Sequence, residues 1–210
     1  MGQASVSFRN RVAFFAKSAI AAATALAIGV SVVGEASAAN SKYAAIVVDA
    51  NTGKTLFSAN AEASRYPASL TKMMTLYLVF ERLAAGKIKK TTQVPFSDHA
   101  ASMPPTKLGI KAGKSVSVET IIYSLVTKSA NDSAAAVAEF IGGSEDGFAR
   151  MMTAKARKLG MTNTIFQNAS GLPDTAQHSS ARDLAVLGLA LREHFPQYYG
   201  YFSTRSFTYG

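Results

Sequence analysis

The sequence predicts an α/β fold, and three observations carry that prediction. Tyr43-Ala44-Ala45-Ile46-Val47-Val48 and Thr55-Leu56-Phe57 are β-prone runs, and Asp49-Ala50-Asn51-Thr52-Gly53-Lys54 between them has the turn chemistry that closes a hairpin. Later segments carry apolar residues at helical spacing. The 210 residues are 48% hydrophobic and 17% charged, enough apolar content for one domain core and too little charge for a disordered chain.

The first forty residues differ from the rest. Arg9, Arg11 and Lys17 precede an apolar run from Ala19 to Val33, and Glu35 leads into Ala36-Ser37-Ala38. A positive end, an apolar middle and small residues at alternate positions before a cut describe a secretory signal peptide. Cleavage is expected after Ala38, with Ala39 as the alternative, so 1–38 is read as signal and 39–210 as the mature chain. A retained transmembrane helix is the competing reading, but a run of 15 residues falls short of the roughly 20 that span a bilayer. No other run reaches that length, so the mature chain is expected in a periplasmic or other extracytoplasmic space, with no membrane span.

After the hairpin, Pro67-Ala68 leads into Ser69, and Leu70 to Leu83 is apolar on nearly every face, as a buried central helix would be. Gly86 ends it. Residues 91–116, with Pro104-Pro105, Gly109 and Gly113, read as an irregular excursion. Ser117 is a plausible N-cap for the stripe Ile121, Ile122, Leu125 and Val126, with Glu119 in the first turn. Lys128 to Asp132 interrupts the pattern, and a small-residue helix follows from Ser133 to Ile141, stopped by Gly142-Gly143. Ser144 caps a helix carrying Phe148, Met151, Met152, Ala156 and Leu159, closed by Gly160. Thr162 to Thr175 is a loop around Gly171-Leu172-Pro173, Arg182 to His194 is a last helix stopped by Pro196, and the aromatic tail Tyr198 to Gly210 suits an edge strand.

Composition excludes several chemistries. With no cysteine there is no disulfide scaffold, no thiolate metal or iron–sulfur site and no thiol nucleophile. His99, His178 and His194 lack ligand spacing, so neither a metal nor any other cofactor is expected. A formal charge of +9 suits nucleic acid, anionic lipid or an acidic polymer alike. Export weighs against nucleic acid.

Ser69-Leu70-Thr71-Lys72 is the sharpest feature. Spacing i, i+3 puts both side chains on one helical face. A serine at a helix start sits where free N–H groups and the dipole favour developing negative charge. A neighbouring lysine takes the serine proton only when neutral, which requires burial to lower its pKa. Alone the spacing is a weak signal, and an N-cap is the plain reading of Ser69. Ser129-Ala130-Asn131 adds a second feature, between two predicted helices. Ser129 is a candidate to relay a proton and Asn131 to hold a substrate amide. Ser58-Ala59-Asn60 has the same letters but follows an edge strand with no helix on either side.

In combination these features resemble the low-molecular-mass penicillin-binding proteins, the serine-type D-alanyl-D-alanine carboxypeptidases of bacterial cell walls. The likeness runs through Tyr66-Pro67-Ala68-Ser69-Leu70-Thr71-Lys72-Met73, Lys128-Ser129-Ala130-Asn131-Asp132, Leu159-Gly160-Met161-Thr162 and Ser180-Ala181-Arg182-Asp183-Leu184. It implies an antiparallel sheet flanked by helices, with a mostly helical subdomain from about Lys87 to about Ala176. It implies Ser69 as the acylated nucleophile, Lys72 as its base, Ser129 assisting proton transfer to the leaving D-alanine and Asn131 binding the substrate peptide. The implied partners are the peptidoglycan stem peptide and β-lactam antibiotics. The family's Lys-Thr-Gly motif is not found, and in relatives it lies roughly a hundred residues after the second motif, past Gly210. The expectation is therefore a sheet left incomplete and activity impaired. Three alternatives stand beside this reading: a D-Ala-D-Ala endopeptidase, a non-catalytic peptidoglycan-binding remnant, and a class A β-lactamase, for which Glu145 and Glu193 fit poorly as deacylating groups.

Overall fold

The computed structural model describes residues 42–209. The expected signal peptide and its cleavage after Ala38 lie outside the described residues.

The hairpin forms as its sequence asks. β1 (Ala45–Val48) pairs antiparallel with β2 (Thr55–Ala59), with Ala45 opposite Ala59 and Val47 opposite Phe57. Asp49 accepts hydrogen bonds from the Asn51 and Thr52 amides, which closes the turn. A 3₁₀ turn (Ala68–Thr71) then runs into α1 (Lys72–Ala84). Met74, Leu76, Tyr77, Leu78, Val79, Phe80 and Leu83 on α1 are all buried, as expected of a central helix.

The excursion at 91–116 is more ordered than its composition suggests. It contains β3 (Gln93–Pro95), α2 (Asp98–Ser102) and the start of β4 (Ser115–Ser117), and β3 pairs antiparallel with β4. Three-residue strands, one containing a proline, are too short to show alternation. Tertiary packing makes them: Val94 and Val116 face each other in the core.

α3 (Val118–Lys128), α4 (Asn131–Gly142) and α5 (Glu145–Lys158) follow. Ser117 and Ser144 cap α3 and α5 through their hydroxyls, as read from sequence. α4 begins two residues earlier than expected, so the interruption shrinks to Ser129 and Ala130. Its run Ala134 to Ala138 is fully buried, which lets neighbouring helices approach closely. The Ser124 hydroxyl donates to Ser133 at 2.8 Å and joins α3 to α4 inside the core.

α6 (Ala181–His194) is capped by Ser180 and packs against β1. Asp183 on α6 accepts from the Asn163 amide and the Thr164 hydroxyl, tying down the start of the 162–180 loop. Arg65 and Ser179 exchange backbone hydrogen bonds, so the same loop is stitched to the segment before Ser69.

The tail is not an edge strand. Pro196 begins a short helix, α7 (Pro196–Tyr199), followed by a 3₁₀ turn over Gly200–Ser203. The rings of Tyr198, Tyr201 and Phe202 recur at helical spacing and gather on Phe80 of α1. The Tyr201 hydroxyl donates to Glu119 at 2.6 Å. Aromatic content suggested a strand, but the spacing of the rings that gather on Phe80 decides for helical turns. Among the described residues no helix is long and apolar enough to cross a membrane.

Candidate active site

Ser69 lies in the 3₁₀ turn, on the exposed side, with Lys72 opening α1 just behind it and only 3% exposed. No side-chain capping bond is made at the start of either element, so Ser69 is not an N-cap. Ala68, immediately before it, has φ of +46°. A left-handed alanine costs roughly 1–2 kcal/mol, and strain of this kind marks functional turns.

Two acceptors hold the Lys72 amine. Nζ donates to Asn131 Oδ1 at 2.8 Å and to the Ser170 carbonyl at 2.6 Å. Burial lowers the pKa of this lysine from 10.5 to about 8. No carboxylate pairs with it among the described residues. A neutral amine has two N–H bonds and one lone pair. Asn131 and Ser170 take the two N–H bonds and leave the lone pair free to accept a proton. A pKa of about 8 leaves roughly one lysine in ten neutral at pH 7, against about one in 2,500 for an unperturbed side chain.

Asn131 is oriented for this task. Its Nδ2 donates to the Pro104 carbonyl at 2.9 Å, which turns Oδ1 toward Lys72 and leaves the second N–H of the amide. Its backbone amide donates to Thr106. Asp132, fully buried, accepts from the Leu108 and Gly109 amides at 2.8 Å each, strapping residues 104–109 over the start of α4.

Ser129 ends α3 with φ of +56°. Its carbonyl accepts from the Thr106 hydroxyl, and its own hydroxyl is buried without a partner. An orphaned buried hydroxyl on a strained residue is a group held for something other than stability. The structure thus brings Lys72 and Asn131 into direct contact, and places Ser69 and Ser129 on the segments flanking that pair.

The sequence reading missed the third wall, residues 168–171. Asn168 Oδ1 accepts from the Ser170 and Gly171 amides, and Thr75 of α1 donates to the Ala169 carbonyl at 2.7 Å. Gln177, buried, accepts from the Gln167 and Asn168 amides. Gly171 has φ of +85°, and a Cβ there would lie 1.8 Å from the Ala68 carbonyl oxygen. Only glycine permits this approach of the loop to the Ser69 turn. A cavity of about 440 Å³ opens beside the contact, lined by Tyr66, Pro67, Ala68, Gly171, Leu172 and Asp174 among others. Asn168-Ala169-Ser170-Gly171 reads as turn chemistry, but the group that matters is a main-chain carbonyl, which no side-chain motif reveals.

The remaining candidates are accounted for. Glu145 accepts from His99 and from the Ala169 amide, and Glu193 is exposed on α6. His194 is hydrogen-bonded to the Tyr77 hydroxyl at 2.7 Å. Among the described residues no three His, Cys, Asp or Glu side chains cluster to hold a metal.

The chain has relatives among known proteins. D-alanyl-D-alanine carboxypeptidase DacF of Bacillus subtilis is 38% identical over 156 residues, 74% of this chain and 40% of that protein. D-alanyl-D-alanine carboxypeptidase DacA of Escherichia coli K12 is 39% identical over 170 residues, 78% of this chain and 42% of that protein. The solved structure of penicillin binding protein 5 from Haemophilus influenzae matches with a TM-score of 0.77 at 34% identity, over 80% of this chain and 49% of that one. The fold is that of the penicillin-binding-protein and β-lactamase class, and the chain spans about two fifths of the length of the curated relatives it matches. Residues 31–210 match the family described as D-alanyl-D-alanine carboxypeptidase, peptidase family S11, and the chain belongs to that family.

Proposed function

We propose that this chain carries the acyl-transfer centre of a serine-type D-Ala-D-Ala carboxypeptidase that acts outside the cytoplasm. The enzyme removes the terminal D-alanine of peptidoglycan pentapeptides through a Ser69 acyl-enzyme, and penicillins acylate the same serine. One observation carries this reading: a buried lysine with no carboxylate partner among the described residues, its pKa lowered, its two N–H bonds engaged and its lone pair free one helical turn from an exposed serine.

In the proposed reaction Lys72 Nζ takes the Ser69 proton as Oγ attacks the carbonyl carbon of the penultimate D-alanine. The Ser69 backbone N–H faces the oxyanion that develops. The proton then passes from Lys72 through the Ser129 hydroxyl to the nitrogen of the departing D-alanine, and the C–N bond breaks. The free N–H of Asn131 is available to a carbonyl of the stem peptide. Water, deprotonated by the same lysine, cleaves the ester and restores Ser69. With a penicillin the broken bond lies in the lactam ring, so the leaving nitrogen stays attached.

Labelling with a fluorescent penicillin tests the centre. Ser69→Ala is expected to abolish covalent labelling, and Lys72→Ala to slow it by about 10²–10⁴-fold, the usual loss with a general base. A Ser69→Ala protein that still labels overturns the assignment. Peptidoglycan binding without labelling identifies a non-catalytic binder instead. Release from cross-linked dimers in preference to pentapeptide identifies an endopeptidase.

A further inference from the structure

We infer that Glu145 is a positioning residue for Lys72, acting through the loop whose Ser170 carbonyl binds the lysine. The inference rests on the reading of Lys72 as the base. Glu145 is the first residue of α5, where the helix dipole favours its charge. Its side chain is 13% exposed and spans two elements: Oε2 meets His99 Nε2 of α2 at 2.8 Å, and Oε1 accepts from the Ala169 amide at 3.0 Å. Ala169 is fully buried, so that N–H has no water to turn to.

The loop is therefore gripped residue by residue. Gln177 holds the amide of Asn168, Glu145 the amide of Ala169, Thr75 the carbonyl of Ala169, and the next carbonyl, that of Ser170, takes Lys72. Contact between Gly171 and the Ala68 carbonyl blocks movement inward. A loop that loses Glu145 relaxes outward, away from Lys72, and admits water to the amine. Burial is what lowers the basicity of Lys72, and no charged side chain contributes to it. The His99 imidazole is the side chain that faces the Glu145 carboxylate. Removing Glu145 thus returns Lys72 toward its ordinary, inactive cationic state.

The test is an NMR titration of the Lys72 ε-carbon, with hydrogen exchange at the Ala169 amide, in the 210-residue chain or its mature form. Glu145→Ala is expected to raise the Lys72 midpoint by about one unit and to speed exchange at Ala169 about tenfold or more. Glu145→Gln keeps an acceptor for the Ala169 amide and is expected to restore the wild-type midpoint. His99→Gln removes the imidazole contact but not that acceptor, and the Lys72 midpoint should stay at its wild-type value. A merely structural role predicts lost stability with no shift at Lys72. Should Glu145→Ala not fold, Glu145→Ser carries the same expectation, being too short to reach Ala169. An unmoved midpoint, or Glu145→Gln displaced as far as Glu145→Ala, overturns the inference. A wild-type chain that takes no penicillin but shows the shift and its rescue refutes the function and leaves the positioning role standing. A labelled chain without the shift does the reverse.

Discussion

Ser58-Ala59-Asn60 and Ser129-Ala130-Asn131 are the same three letters in two settings. The first ends β2. Ser58 is exposed opposite Ile46, and Asn60, with φ of +50°, turns the chain and donates to the Tyr43 carbonyl at 3.0 Å. In the second, Ser129 is the left-handed residue, and Asn131 is buried at the start of a helix against Lys72. One copy spends its asparagine on a local turn. The other spends it on a residue 59 positions away in the chain. A short motif acquires chemistry from which residue takes the left-handed turn and what lies opposite.

The widest separation between the copies is expected at the asparagines. Asn131→Ala removes one of the two acceptors on Lys72 and should slow penicillin acylation about 100-fold, the usual scale for a misplaced catalytic group. Asn60→Ala should leave that rate alone while costing about 1 kcal/mol in urea unfolding, since alanine resists its positive φ. Equal effects on acylation would erase the distinction.

Lysine 72 faces only one copy, and pH sharpens that difference. Acylation should rise with pH and level off above about 8, as the amine loses its proton. The folded pKa lies below the ordinary 10.5, so the charged lysine is a burden to the fold at every pH below about 8. The burden disappears as pH rises from about 8 to 10.5. Lys72→Met removes that burden but strands the Asn131 and Ser170 acceptors, so it should gain about 2–3 kcal/mol on the wild type at pH 6 relative to pH 10.5, read by urea unfolding at both values. A constant difference would place the lysine in a wetter site than the structure shows.

The serines give the smallest contrast, and it is one of sign. Ser129→Gly relieves a positive φ and removes an orphaned hydroxyl, so it should stabilise by about 0.5–1 kcal/mol while slowing acylation. Ser58→Gly weakens a strand and should destabilise by about the same amount with acylation unchanged. Thermal melts read both.

Much of this was legible from residues alone. The hairpin showed in its β-branched runs and its Asp49 turn, α1 in its apolar residues, and α3 and α5 in Ser117 and Ser144. Ser69, Lys72, Ser129 and Asn131 showed in spacing and in family likeness. What escaped was set by distant contacts. β3 and β4 exist because Val94 and Val116 share a core, and three residues carry no period. The tail follows Phe80, not its own strand propensity. At the site, the Ser170 carbonyl, the Gln177 acceptor and the Glu145 bridge act on or through the main chain, and any residue type has a carbonyl.

The bond from Lys72 to Ser170 joins positions 98 residues apart. Until the loop has folded back onto α1, Lys72 is an ordinary surface cation, protonated in all but about one molecule in 2,500 at neutral pH. In the proposed mechanism an unfolded chain therefore carries no activated serine. On that mechanism the base exists only once this contact across 98 residues is made, so a penicillin that labels Ser69 would also report that the loop has closed.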